Sequence, residues 1–544
     1  MDPKSIKYHI LPCWTEQMIG SPAATSCSVS GRPYLPSPDC PEAFALIRSW
    51  MTTCIAEHDL CRATLSCAVI DETAPPILPT RIIDVGAPDG AVEPRLIETN
   101  GQRGYYVALS HCWGPPGRRP LMTTQETFHN HVNGISWNTL PQTFRDAITT
   151  TRTIGLRYLW IDSLCIIQDS HQDWLLESKR MGRVYEEARL TLAASHAPDS
   201  SHGLFLPRPP VQTAIELPHM PADGDSMFVT HMPEDYETIS PESGSLATRA
   251  WATQEWLLSR RMVLYTAGCL VWSCKTITQR ETGGSSHITA RNHRWKVIVE
   301  KFSARGLTYI TDRLIALEGL RTAMANMRES DVYCFGLWKN SMPDQLLWYC
   351  TEPAERALNT LGLPTWTWAS TTHGVRFLNI KKAKNVSKSI RFDEQSKLLT
   401  IQSRLTKLHG LIFPCPSQNV MGPGSKYKGR YITAFSKFEF EIFDHLPLSL
   451  AFTLVVQEEG TVGYAILDEG RLCSVVDVYC LSLMSKRDSR VSSEGKVKWQ
   501  VDWVLVLRQL QLKQEPVEYE RIGVGKILWP YWHQDGEVAQ VCIR

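Results

Sequence analysis

The chain has almost no net charge. Across 544 residues, 57 Lys and Arg stand against 56 Asp and Glu, a balance of +1. That excludes a general electrostatic pull toward nucleic acid or an anionic membrane surface. The one short basic run, Lys381-Lys-Ala-Lys384, reads as a solvated loop. Long apolar runs are missing too: no stretch approaches the about 18 uninterrupted apolar residues of a membrane span. Met1-Asp-Pro-Lys-Ser-Ile-Lys7 lacks the apolar core and small-residue cleavage site of a signal peptide. The 16 cysteines include no CxxC. In a long unsecreted chain they read as reduced thiols, many buried as small apolar residues, and the expected location is cytoplasmic. There is no HExxH and no GxSxG. Gly523-Val-Gly-Lys526 is no Walker loop, because Glu520 and Ile527 stand where that loop needs Gly and Ser or Thr. These residues are expected in a strand with a bulge.

What is present is a globular composition, 43% hydrophobic and 21% charged, in a chain long enough for two or three domains. Residues 106–196 organise it. Tyr158-Leu-Trp-Ile161 is an uncharged run suited to a strand buried on both faces, and it ends abruptly in Asp162-Ser163. Before it, Pro141–Ile154 places Phe144, Ala147, Ile148, Thr151 and Ile154 on one helical face, with Gly155 to end the helix. After it, Asp173 is expected to cap a helix carrying Trp174, Glu177, Met181, Val184, Tyr185 and Ala188 at helical spacing. Leu190–Ala194 and Tyr106–Leu109 read as further strands. Strand, helix, strand, helix, strand predicts a parallel sheet wound with helices.

Residues 1–105 form an N-terminal extension with a helix over 42–62. In that helix Cys54, His58 and Cys61 fall at i, i+4 and i+7, on one face. Three ligands of a zinc site, with Cys40 or Cys67 as the fourth, is one reading. A small-residue seam against the core is the other, since no second ligand pair is evident. Leu78–Val85 reads as a strand leading into the central region, and 197–247, rich in Pro, Asp, Ser and Gly, as an insertion. A helix is expected from Arg249 to Leu258, capped by Thr248, followed by strands at Arg261–Tyr265 and Leu270–Trp272. Residues 276–385 read as a mixed helical segment, with a helix at Thr311–Leu320. Its Trp338, Trp348, Trp366 and Trp368 suit aromatic packing or a stacking platform. Residues 386–544 alternate with period two, as in Ile390–Phe392, Tyr431–Phe435, Phe438–Ile442 and Val501–Val506, and predict a β-rich C-terminal region.

Ser110-His-Cys-Trp-Gly114, Leu159–Asp169 and Arg249-x-Trp-x-x-Gln-Glu255 resemble the three signature blocks of the fungal heterokaryon incompatibility (HET) domain, in order and spacing. Leu140-Pro-x-Thr-Phe-Arg-Asp-Ala-Ile148 lies between the first two, as in that family. Cys54-x3-His-x2-Cys61 and Leu78-Pro-Thr-Arg81 resemble the segment N-terminal to the domain in that family. Leu363–Ser370 and Glu520–Gly523 resemble its C-terminal neighbour. The third block has Ala250 where Gly is common and Ala252-Thr253 where Thr-Leu is common, while Trp251, Gln254 and Glu255 are in place. The resemblance implies a HET domain over about 106–275 and a TIR/flavodoxin-like α/β fold. It also implies a role in non-self recognition and programmed cell death. No nucleotide-binding or repeat module is evident, so a partner protein, self-association or a small-molecule ligand is expected to inform it.

If the winding holds, three polar corners converge: Ser110–Gly114, Asp162–Cys165 and Ser195-His196, with Trp251 and Glu255 brought by the helix near Arg249. The HET domain resembles the Toll/interleukin-receptor (TIR) fold, where a helix glutamate acts on the nicotinamide–ribose bond of NAD. By that likeness Glu255 is the catalytic carboxylate against an oxocarbenium-like ribosyl centre. Asp162 would hold a ribose hydroxyl or orient a partner, and Trp113 or Trp251 would stack on a ring. Ser110, His111, Cys112, Trp113, Gly114, Cys165, Arg249, Trp251 and Gln254 line the expected crevice. NAD enters as substrate, with no cofactor otherwise expected. Cys112 beside His111, or Cys165, suggests a thiol nucleophile, but no third, orienting group is identifiable. The structural alternatives are plain: Gln254-Glu255 favouring a helix dipole, Asp162 capping a turn, Trp113-Gly114 a packed corner. A second functional reading is a HET-like protein recruited to tailor a secondary metabolite.

Overall fold

A computed structural model of the protein describes residues 8–12, 34–208, 215–217, 227–231, 244–282, 285–287, 294–328, 330–352, 362–380, 382–410, 413–414, 451–456, 460–468, 476–492, 495–510, 516–530 and 537–544. Two compact units emerge: Met1–His293 with Ile315–Met327, and Arg294–Leu314 with Arg328–Arg544.

The first unit is built on a nine-stranded mixed sheet. Its strands are β1 (Arg81–Asp84), β2 (Arg95–Glu98), β3 (Tyr106–Ser110), β4 (Tyr158–Trp160), β5 (Leu190–Ala193), β6 (Arg261–Tyr265), β7 (Leu270–Cys274), β8 (Ile277–Arg280) and β9 (Ser285–His287), in the order β9-β8-β7-β6-β5-β3-β4-β1-β2. The four central strands are parallel, with Val107 beside Leu159, Ser110 beside Ala193 and Leu192 beside Val263. Strands β3 and β5 are buried along their whole length, as uncharged runs covered on both faces must be; β6 is buried as well, its one charge, Arg261, paired with Glu72. The expected parallel sheet is therefore the middle of a larger one: β1 joins β4 antiparallel, and β6 through β9 form antiparallel hairpins.

Helix α2 (Gln142–Thr153) crosses from β3 to β4, and α3 (His171–Glu187) from β4 to β5. Gly155, at φ +86°, ends α2 as its sequence position suggests. Two helix starts differ from expectation. Ser170, not Asp173, caps α3, its hydroxyl accepting from Asp173 N. Asp173 is engaged instead by Arg81 Nη2 at 2.5 Å and Ile167 N at 2.8 Å. Helix α4 covers Ala252–Leu258, later than Arg249, because Thr248 Oγ1 closes a 3-10 turn on Ser245 O at 2.7 Å and Arg249 is extended.

At the N-terminal side, helix α1 (Pro41–Glu57) stops five residues before the expected end. Arg62 folds back onto it, donating to the carbonyls of Ile55 (3.3 Å) and Ala56 (2.6 Å) that a continuing helix would have used. Helix α5 (Glu318–Asn326) packs so tightly on α3 that a Cβ on Gly182 would lie 2.7 Å from Gly319 Cα. The stretch expected as a helix from Thr311 begins as 3-10 turns, Ile310–Arg313 and Ile315–Leu317.

The second unit carries the expected β-rich region. Leu399–Gly410, Val476–Ser492, Gly495–Gln509, Glu518–Pro530 and Glu537–Ile543 close a ring of pairings, each strand bonded to the next and the last back to the first. The closing contact is short, Glu518 beside Cys542 and Tyr519 beside Ile543. A register shift opposite Ile522 puts the expected bulge beside Gly523, where a Cβ would meet Ile466 O at 2.3 Å. Trp338, Trp348, Trp366 and Trp368 are fully buried, so they are packing and not a platform. The strands expected at Tyr431–Phe435 and Phe438–Ile442 lie outside the described residues. No helix among the described residues is long and apolar enough to cross a membrane.

Candidate functional site

Because β3, β4 and β5 are parallel, their carboxyl ends share one edge of the sheet, and the chain turns polar at each. Ser110 is the last residue of β3, Asp162 opens the turn after β4, and Ser195-His196 comes just after β5. Helix α4 then brings Glu255 onto the first of these corners: Ser110 Oγ donates to Glu255 Oε2. Arg249 donates through Nη1 to the carbonyl of His111, and its charge acts on both Glu255 and Asp162.

Asp162 is the hub. Its Oδ1 receives His111 Nε2 at 3.0 Å and its own neighbour's amide, Ser163 N, at 2.7 Å; its Oδ2 receives the Trp113 indole N–H at 2.8 Å. His111 is held in turn by Nδ1 on the Cys112 carbonyl at 3.2 Å and by the Phe144 ring, edge-on at 5.1 Å. Trp113 also lies near the Arg119 guanidinium, 5.9 Å from its ring centre. Gly114 makes the corner possible. Its φ is +79°, and a Cβ there would fall 2.7 Å from Asp199 Cβ and 2.9 Å from the Arg118 carbonyl.

The two carboxyls are pushed apart in proton affinity. Burial opposes ionisation of Asp162, but the His111 ring, Arg249 and the Trp113 N–H together outweigh it and hold its carboxyl below the usual range. Burial dominates at Glu255, which is 1% exposed; Arg249 and Ser110 do not offset it, and its carboxyl is pushed up. Neighbouring titratable groups separated in this way are the usual basis for dividing acid and base roles.

The other expected site residues divide. Trp251 stands half-buried at the start of α4. Gln254 turns away: its Oε1 accepts from Gly319 N at 3.1 Å, so it fastens α5. Cys112 sits in an apolar cluster with Ala193, Leu246 and Met262, and burial pushes its thiol up to about 11. Burial pushes Cys165 up to about 12, and its carbonyl is taken by Arg81 Nε at 2.8 Å. Neither thiol has the character of a nucleophile. Ser195 and His196 lie against Gly244, whose Cβ would be 2.5 Å from Ser195 O and 2.9 Å from His196 Nδ1.

Two participants escape sequence reasoning. Tyr185, read there only as part of an apolar helix face, donates its hydroxyl to the Leu109 carbonyl at 3.0 Å and feels both carboxylates. The N-terminal trio gains a member: Cys54, His58, Cys61 and Cys274 bring their ligand atoms within 4.8 Å of one another. The fourth is thus Cys274, at the end of β7, and neither Cys40 nor Cys67 joins. Nothing in the spacing signals Cys274, since only the strand pairing delivers it.

Comparison with known families finds a match over the central region. The family model described as Heterokaryon incompatibility protein (HET) covers residues 106–255, from the first residue of β3 to Glu255. No curated protein and no solved structure matches the chain.

Proposed function

Starting from a chain that carries a heterokaryon incompatibility (HET) domain at residues 106–255, we propose that it acts in non-self recognition and programmed cell death in a fungus, by cleaving NAD at the edge where Ser110, Asp162 and Glu255 gather. The observation that carries this is the divided pair: Asp162 held toward the anion and Glu255 toward the proton, both acted on by Arg249. The winding adds support. Numbered along the chain, the parallel strands lie in the order 2-1-3-4, as in TIR/flavodoxin-like sheets, whose ligands bind where the winding reverses, here between β3 and β5.

The chemistry suits the pair. The C1′–N bond of the nicotinamide riboside breaks with its electrons going to the pyridinium nitrogen, so nicotinamide leaves neutral and needs no acid. The ribosyl cation that remains is favoured by the Asp162 carboxylate. Water adds to that cation and gives up a proton, which Glu255, with its raised affinity, accepts. Trp113, half-buried and oriented by Asp162, offers a ring face for nicotinamide or adenine.

Purified full-length protein incubated with NAD tests the reading by nicotinamide release. Wild type is expected to release it, and Glu255→Gln to do so at least about 100-fold more slowly, the usual worth of a proton-transfer group. Release unchanged in Glu255→Gln, or none from wild type, would sink the proposal. Absence of release with a small metabolite retained by the protein would point to metabolite tailoring.

A further inference from the structure

A second constellation in the first unit has no part in that chemistry. Helix α1 ends at Glu57, and the chain leaves it through His58 in extended conformation and a 3-10 turn, Asp59–Arg62. That break, and not a continuous helix face, aims Cys54, His58 and Cys61 at one point. From the other side β7 ends in Cys274, whose Sγ is 3.4 Å from His58 Nδ1. The four ligand atoms lie within 4.8 Å of one another, and the three cysteines are buried and free of disulfides.

We propose that Cys54, His58, Cys61 and Cys274 bind one zinc ion in a closed tetrahedral structural site. Zinc at about 2.3 Å from sulfur and about 2.0–2.1 Å from nitrogen sets tetrahedral S···N edges near 3.6 Å and S···S edges near 3.8 Å. The observed 3.4 Å between Cys274 Sγ and His58 Nδ1 is close to that edge. Four protein ligands leave no open position, so the role is to fasten the end of α1 to the sheet.

Two further observations favour thiolates over thiols here. The amides of Thr276 and Ile277 both point at Cys274 Sγ, each at 3.4 Å, and Thr276 Oγ1 is 3.6 Å from Cys61 Sγ. Amide donors on sulfur are the outer contacts that a metal-bound thiolate requires. Second, positive charge is in excess beside the group. Arg189, Arg260 and Arg261 all engage the carboxylate of Glu72, and Arg261, fully buried, turns Nε and Nη1 to no carboxylate or carbonyl while its guanidinium acts on Cys54. Binding Zn²⁺ by three thiols and one neutral imidazole releases three protons and leaves a cluster of net charge −1. That anion is what the surplus guanidinium lacks.

The test is metal analysis of the full-length chain purified under reducing conditions without chelator, with Co²⁺ replacing zinc in a second sample. One zinc per chain is expected, and sulfur-to-cobalt charge-transfer bands with tetrahedral visible absorption. Cys274→Ser should lose both, whereas Cys40→Ser and Cys67→Ser should keep them. Should Cys274→Ser fail to fold, wild type decides alone: stripped protein should take up one equivalent of zinc and melt at a higher temperature with it. A folded wild type that takes up no zinc, a disulfide among these cysteines in its place, or Cys274→Ser with undiminished zinc would overturn the site.

Discussion

Asp162→Asn is the sharpest probe of how the site is held. The substitution keeps the shape but removes the charge, and its new amide must present N–H groups toward donors. The Trp113 indole at 2.8 Å and Ser163 N at 2.7 Å can only donate, one to each carboxylate oxygen, so either orientation of the amide leaves one of them facing N–H, and the His111 ring at 3.0 Å loses its charged partner. Hydrogen bonds to a charged group are worth about 1.5–3 kcal/mol each, though those around one carboxylate are not additive. Leaving Arg249 short of a counter-charge raises the cost, and the total is about 3 kcal/mol. For a unit of this size that lowers Tm by roughly 4–6 °C. The pH dependence has a definite sign. Asp162 is depressed in the fold, so its contribution is complete above the unfolded value of about 3.9 and is lost as pH falls through the folded one. The penalty should therefore be full at neutral pH and fade in acid. Glu255→Gln should run the other way. Its raised carboxyl favours the fold below the unfolded value of about 4.3 and loses that advantage as pH rises. Neutral glutamine is thus best tolerated at high pH. Thermal melts of both variants across pH read this directly. An Asp162→Asn penalty that persists undiminished in acid, or a Tm within about 1 °C of wild type at neutral pH, would refute the argument.

The same contacts fix the outcome of other perturbations. Ser110→Ala strips Glu255 of a buried donor and should destabilise by about 1–2 kcal/mol in urea unfolding, while raising the pH at which Glu255 ionises. Gly182→Ala drives a Cβ to 2.7 Å from Gly319 Cα and should cost about 1–3 kcal/mol by the same measurement, with Gly319→Ala equivalent. Glu72→Gln leaves Arg189, Arg260 and Arg261 around a neutral side chain and should cost about 3–5 kcal/mol, seen as a lower urea midpoint.

The central winding is legible in the sequence because fully buried strands and amphipathic helices leave distinct patterns. Tyr106–Leu109, Tyr158–Trp160 and Leu190–Ala193 have nothing charged in them, and α2 shows its face plainly. The corners Ser110 and Asp162 are legible for the same reason, as polar residues that end such runs. What is not legible depends on side chains reaching across the fold. Arg62 capping α1 shortens a helix that periodicity extends, and Asp173, a good cap by type, is claimed by Arg81. Gln254 and Glu255 are neighbours with equal claims on paper, yet α4 aims one at Gly319 and the other at Ser110. Cys274 is one thiol among 16 until strand pairing sets it beside His58.

Two carboxyls at one sheet edge have their proton affinities driven apart. Site-resolved titration of the Asp162 and Glu255 carboxyl carbons by NMR, each assigned by the change to Asn or Gln, measures this without any substrate. Asp162 should titrate below the ordinary aspartate value of about 3.9 and Glu255 above the ordinary glutamate value of about 4.3. Two ordinary titrations, or the reverse order, would contradict it.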